Sequence, residues 1–281
     1  MSKYVFVLAP PYSGSTVLFR LLDTSHGVSA LPGEGQFIDA VRDEMRAAPW
    51  DGSRPLDWQR IKSVWESHWD LAKPLLLEKS PPNLIRAEAI EAAFDPAHFI
   101  LMLREPYAHI EGLARRSGVP PMDLAKSATR AERVRRAADL WLEFALAQRE
   151  TIKNRKQVTW FTYEGLTQEP ARIASQLKTF LPELGSLDVE ARFGVHAVSG
   201  TQARELQDMN APKRALLRVA DFEIISDALK PHPNLLEFFG YDLRDPAPDQ
   251  DRIARRAAFS IAVERAKSNL VKLLPGRGKG G

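Results

Sequence analysis

Cysteine is missing altogether from the 281-residue chain. Disulfides, thiolate nucleophiles and cysteine-based metal sites are thereby excluded. Long apolar runs are missing too: nothing approaches the roughly 18 residues that a membrane span requires. No basic segment precedes the brief apolar run at residues 4–9, which is too short for the core of a signal peptide. A soluble, cytoplasmic protein is the expectation. Nor is there a large excess of one charge: 39 Lys and Arg face 36 Asp and Glu, for a net charge of +3, and no nucleic-acid partner is expected. The small excess is unevenly spread. From residue 252 onward Arg252, Arg255, Arg256, Arg265, Lys267, Lys272, Arg277 and Lys279 meet only Glu264, which leaves the rest of the chain slightly acidic. Internal repeats are absent. The length suits one elaborated domain with an appendage.

What is present begins at residue 4. The run 4–9 reads as a buried parallel strand, prolines at 10 and 11 stop it, and a helix with apolar spacing starts near Ser15. A strand, a tight Gly/Ser turn and a helix N-terminus make an anion site, because the first N–H groups of the helix have no internal acceptor and the helix dipole is positive there. Ser13, Ser15 and Thr16 add hydroxyls, and Gly14 lets the backbone come close to a phosphate. The lysine of a Gly-x-x-x-x-Gly-Lys loop is lacking.

Two further apolar strands end in polar turns. Residues 74–78 lead into Lys79-Ser80-Pro81, with a lysine where doubly wound sheets bind ligands, and residues 98–103 lead into Arg104-Glu105-Pro106 and a helix. A fourth strand is expected over 157–166, and helices over 57–70, 83–94 and, singly or as a pair, 122–152. The arginines at 130, 133, 135 and 136 read as a solvated face or as guides for an anionic nucleotide. Trp50, Trp58, Trp65 and Trp69 either pack a helical layer onto the sheet or wall a cleft. Residues 194–214, including His196, Ser199 and Gly200, read as a loop without clear periodicity.

Taken in order, these segments resemble the sulfotransferases that use 3′-phosphoadenosine 5′-phosphosulfate (PAPS), in their bacterial-type, P-loop-like form. Pro11-Tyr12-Ser13-Gly14-Ser15-Thr16 is similar to their 5′-phosphosulfate loop, except that Tyr12 stands where the family has Arg or Lys. Glu78-Lys79-Ser80-Pro81 resembles the family's Asp-Lys-Ser/Thr-Pro. Arg104-Glu105-Pro106 resembles the second signature, whose arginine holds the 3′-phosphate. The serine expected eight residues later is Gly112. Tyr163-Glu164-Gly165-Leu166 resembles a scaffold block in which Glu164 is structural, and Phe239-Gly240-Tyr241 resembles the family's closing segment. The resemblance thus covers roughly residues 4–241.

It implies an α/β fold: an open, mostly parallel sheet with helices on both faces, over residues 1–244. A linker, a basic amphipathic helix and a flexible tail follow over 245–281. It also implies sulfuryl transfer from PAPS, without a metal, to a hydroxyl or amine of a small-molecule, glycan or lipid acceptor. The expected catalytic pair is Glu34 as general base and Lys79 at the bridging oxygen, with His109 as the rival base. Pro11, Tyr12, Ser13, Gly14, Ser15, Thr16, Arg104, Gly112, Lys213 and Arg214 are the expected nucleotide contacts. The basic C-terminal helix is a candidate contact for an anionic membrane or a partner, or packs on the body. Two other readings remain open: a nucleotide-binding protein of this fold with weak or no transfer, and a small-molecule phosphotransferase.

Overall fold

The structure is a computed structural model describing residues 2–116, 120–125, 127–197, 200–204 and 206–273. Five strands, β1 (Lys3–Leu8), β2 (Val28–Ala30), β3 (Leu75–Glu78), β4 (Ala97–Leu103) and β5 (Val158–Thr162), form one sheet in the order β2-β3-β1-β4-β5. Every pairing in it is parallel. The three apolar runs are the three central strands, β3, β1 and β4. A strand covered on both faces has no polar side to show, which explains their near-unbroken hydrophobicity.

Around the sheet lie α1 (Ser15–Leu22), α2 (Asp39–Arg46), α3 (Trp58–Glu66), α4 (Ala87–Ala93), α5 (Pro106–Ala114), α6 (Arg130–Asn154), α7 (Tyr163–Gln168) and α8 (Pro170–Phe180). They are followed by α9 (Asn210–Arg214), α10 (Val219–Leu229), α11 (Pro233–Phe239) and α12 (Gln250–Leu273). The period-two alternation of a strand sorts β1 between two cores. Tyr4, Phe6 and Leu8 join one with residues of α3 to α6, α10 and α11, while Val5, Val7 and Ala9 join the other with α1, α7 and α8. Helices therefore cover both faces, as expected.

Several local expectations shift. The fourth strand stops at Thr162, whose side chain accepts the Gly165 N–H and starts α7, so Tyr163 and Glu164 lie on a helix. The segment after Pro81 begins as a 3₁₀ turn before α4, and the helix expected over 57–70 ends at Glu66. Helix α6 starts only at Arg130, where Thr129 and Glu132 form a reciprocal capping box. The expected loop at 194–214 is instead an antiparallel hairpin, β6 (Phe193–Ala197) with β7 (Gly200–Arg204), followed by α9. Lys213 and Arg214 are thus helical; Ser199 falls outside the described residues.

The tryptophans serve the core. Trp65 and Trp69 are buried, Trp50 and Trp58 are partly so, and Trp65 stacks on Phe94 at 5.6 Å. Along the described side chains of helix α12, Ile253, Ala257 and Ile261 form one half-buried row and Phe259 is exposed on the opposite side; the expected tail after residue 273 lies outside the described residues. The first turn of α12 is anchored to the body: the buried Gln250 donates to the carbonyl oxygens of Leu217 (2.6 Å) and Arg214 (3.3 Å). Among the described residues no helix is long and apolar enough to cross a membrane.

Candidate active site

The carboxyl ends of β1, β3 and β4 lie side by side, which brings residues 10–16, 79 and 104 to one edge of the sheet. In such sheets this is where ligands bind. The loop after β1 is tightly wound. Ser13 gives both its N–H (3.4 Å) and its hydroxyl (2.6 Å) to the Pro10 carbonyl, so this hydroxyl braces the loop. Tyr12 and Gly14 have φ of 64° and 95°. At Gly14 a side chain is excluded twice over, since a Cβ would also come within 2.7 Å of the Tyr163 ring. Helix α1 starts with no side-chain cap, which leaves its first N–H groups for a ligand or water.

His109 supports this loop from below. It is fully buried on α5, and its Nε2 lies 2.8 Å from the Pro11 carbonyl oxygen. A carbonyl only accepts, so Nε2 carries the proton. Burial, aided by the nearby Arg104 and Lys213 charges, pushes the imidazole down to about 3. Burial and the neighbouring charges disfavour protonation of His109, which argues against it as the base for which sequence made it a rival.

Arg104, directly after β4, is 5% exposed. Its Nε donates to Asn210 Oδ1 at 2.7 Å and its Nη1 to the Tyr12 carbonyl at 3.3 Å. The guanidinium lies 4.2 Å over the Tyr163 ring, and Nη2 is buried without a partner. Behind it, Glu164 accepts from Asn210 Nδ2, the Glu105 N–H and the Tyr241 hydroxyl, and so acts as a structural hub. Asn210 and Tyr163 touch Arg104 directly, yet neither stood out as a contact in the sequence. Asn210 comes from α9, more than a hundred residues along the chain.

The other cations are already held. Lys213 Nζ is 3.1 Å from the buried Glu111 Oε2, and burial pulls its ammonium below the ordinary lysine value, against the pull of Glu111. Arg214 pairs with Glu105 at 2.7 Å, the residue that also caps α5. Gly112 sits between: a Cβ there would be 3.4 Å from Tyr12 Cβ and 3.9 Å from Lys213 Nζ. Arg116 lies 5.5 Å over the Tyr12 ring. Next to this cluster, Arg115, Arg130, Arg133 and Glu111 line a cavity of about 290 Å³.

On the β3 side, Lys79 is 4% exposed and its Nζ lies 2.6 Å from Glu34 Oε1, while Gln36 Nε2 donates to Glu34 Oε2 at 2.6 Å. The two residues expected to catalyse thus form one ion pair at the edge that also carries the loop. The site therefore offers an anion cradle, a buried arginine with a spare donor, and a carboxylate–ammonium pair. No group of His, Asp and Glu suited to a metal occurs among the described residues.

Solved structures resemble this fold. A sulfotransferase from Mycobacterium avium, STF9, superposes with a TM-score of 0.54 at 14% identity, covering 87% of this chain and 78% of its own. A sulfotransferase from Alicyclobacillus acidocaldarius gives 0.51 at 16% identity, covering 85% and 96%. At such identities the likeness shows the fold alone. Comparison with curated protein sequences gives no match. The profile of the Sulfotransferase family matches residues 5–183. That match takes in the loop after β1, Lys79, Arg104 and the Glu164 hub, over more than half of the length, and the chain belongs to the sulfotransferase family.

Proposed function

We propose that the protein transfers the sulfuryl group of PAPS to a hydroxyl or amine of an acceptor, releasing adenosine 3′,5′-bisphosphate. The observation that carries the reading is the buried, unpartnered Nη2 of Arg104 beside the loop. A buried cationic donor without an acceptor is costly, by about 1–3 kcal/mol or more, and a phosphate oxygen relieves that cost with a charge-assisted bond. When bound, PAPS supplies an activated sulfuryl group on a leaving phosphate.

The chain's own residues do the rest. The N–H groups at the start of α1 hold the anionic 5′ end, and Arg104 grips the 3′-phosphate. Glu34 takes the proton of the acceptor as the acceptor's oxygen or nitrogen bonds to sulfur. The bond from sulfur to the bridging oxygen breaks, and its electron pair stays on that oxygen. Lys79 offsets the charge growing there. For this the 2.6 Å contact between Lys79 and Glu34 must open, the ammonium turning to the leaving oxygen and the carboxylate to the acceptor.

Tyr12 favours a second reading, a nucleotide-binding protein with weak transfer. It supplies no charge at neutral pH, and Lys79, the cation nearest in role, is engaged by Glu34. Transfer of labelled sulfate from PAPS to an acceptor panel, run beside a thermal-shift screen with adenosine 3′,5′-bisphosphate and ATP, separates the readings. Transfer together with stabilisation by the bisphosphate supports the first. Stabilisation without transfer supports the second, and preference for ATP with magnesium would instead point to a phosphotransferase.

A further inference from the structure

One buried carboxylate at this edge has no part in the chemistry above. Glu78 ends β3 and is 0% exposed. Its Oε1 accepts the Gly35 N–H at 3.1 Å and the Ser80 hydroxyl, and its Oε2 accepts Asn83 Nδ2 at 2.9 Å. Ser80 Oγ in turn accepts the Gln36 N–H at 3.1 Å. The two backbone N–H groups that follow Glu34 are therefore both tied to Glu78, one directly and one through Ser80.

Gly35 is pinned from the opposite side as well. A Cβ there would lie 2.7 Å from the Trp65 indole, whose Nε1 donates to the Gly35 carbonyl at 3.3 Å. The turn carrying Glu34 thus has little freedom except through its bonds to Glu78. We infer that Glu78 is a positioning residue: it touches no substrate, and it holds the turn at Glu34–Gln36 so that the carboxylate of Glu34 stands against Lys79. This rests on the proposed role of Glu34 as base.

The chemistry of the pocket makes the tie dependent on ionisation. All three groups facing the carboxylate are donors, an arrangement that suits its charged form. Among the described residues Glu34 is the charged neighbour acting on it, with Lys79 paired to Glu34 beyond; Ser80, Asn83 and Trp65 are neutral, and the β1 register partner is the apolar Phe6. Burial, against those three donors, raises the Glu78 carboxyl to about 7. Once protonated it must find an acceptor, and the unpartnered buried Oδ1 of Asn83 is available. The exchange takes place on Oε2; on Oε1 the loss of charge weakens the bond from the Gly35 N–H. The amide of Glu78→Gln can settle similarly, so this variant preserves the fold.

The decisive measurement is an NMR titration of the Gly35 and Gln36 amides between pH 5 and 9. In the native protein both shifts should move together with a midpoint near 7, and in Glu78→Gln that titration should vanish. With PAPS, the variant should lose about ten- to a hundredfold in kcat, without the native fall in rate as pH drops through about 7. Its affinity for adenosine 3′,5′-bisphosphate should be unchanged, because Glu78 bonds to Gly35, Ser80 and Asn83 and to neither the loop nor Arg104. Amides that do not titrate in the native protein, or that titrate equally in Glu78→Gln, would overturn the inference. So would a variant with native kcat and pH profile. If the native protein transfers no sulfate, the role of Glu34 fails, but the amide titration still decides that of Glu78.

Discussion

The loop side and the Glu34 side of this edge are built on opposite terms. Around the loop after β1, the starting N–H groups of α1 are uncapped and Arg104 Nη2 is buried without a partner. Around Glu34 the charges answer one another: Lys79 and Gln36 occupy its two oxygens, and Glu78 collects three donors. Unmet donors favour ligand binding, because a phosphate supplies what the protein lacks. Met charges favour a fixed starting geometry, and reaction then requires exchanging partners. The comparison teaches that binding and turnover depend on separate groups here, and substitutions should divide them.

The largest expected effect tests that division at Glu34. Glu34→Gln should lower kcat by about 10²- to 10⁴-fold, the usual worth of a positioned base, with adenosine 3′,5′-bisphosphate affinity retained in calorimetry. Loss of both together would mean that the two sides are one unit.

Acid and base stability comes next, and the two sides should respond with opposite signs. The His109 imidazole is depressed to about 3 from its ordinary 6.5. The unfolded chain therefore binds the extra proton, and stability falls as pH drops from about 6.5 toward 3, by up to about 4–5 kcal/mol. The Glu78 carboxyl is raised from 4.5 to about 7. Here the folded chain binds the extra proton, so stability falls as pH rises from about 4.5 to 7, by up to about 3 kcal/mol. Between about 4.5 and 6.5 the two nearly cancel. His98, also held below its ordinary value by burial, adds an upward slope to both proteins, so denaturant melts across pH 4–8 should rise with pH more steeply for Glu78→Gln than for the native protein. Parallel curves for the two proteins would be evidence against the Glu78 assignment.

A smaller effect is expected at Arg104. Arg104→Met should weaken adenosine 3′,5′-bisphosphate about 10- to 100-fold, in line with losing one charge-assisted pair, and should remove most of the discrimination against 5′-AMP. Equal binding of both nucleotides by the native protein would take the 3′-phosphate away from this residue. The smallest concerns Tyr12, which is 40% exposed and carries Arg116 over its ring. Tyr12→Arg restores the family's charge at an exposed position, and a rise in kcat of at most about tenfold is expected. No change would indicate that Lys79 and the α1 N-terminus suffice.

Much of this arrangement was legible in the chain. The central strands announced themselves as apolar runs, and the residues that end them are local signals: Pro and Gly in the loop, Lys79 and Arg104 at strand ends, Pro106 opening α5. Glu34 could be named only through the resemblance to sulfotransferases, since its own segment reads as a loop with one carboxylate. Asn210, His109 and Glu78 could not be given their roles, because those roles are contacts. Asn210 reaches Arg104 across 106 residues of sequence, and His109 reaches the Pro11 carbonyl across 98. The hairpin of β6 and β7 escaped notice because the alternation of Phe193, Val195 and Ala197 spans only five residues and its partner, Gly200–Arg204, shows none.

By itself, the sequence determined the order of strands and turns and which chemical groups stand at the strand ends, since hydrophobic period, proline and glycine act over a few residues. Only the tertiary structure decided how those groups are engaged. It set Lys79 against Glu34, committed His109 to a carbonyl, paired Arg214 with Glu105, and left Arg104 with one donor unused. Burial and partners assign protonation and availability to a side chain, and both depend on what the rest of the fold packs against it.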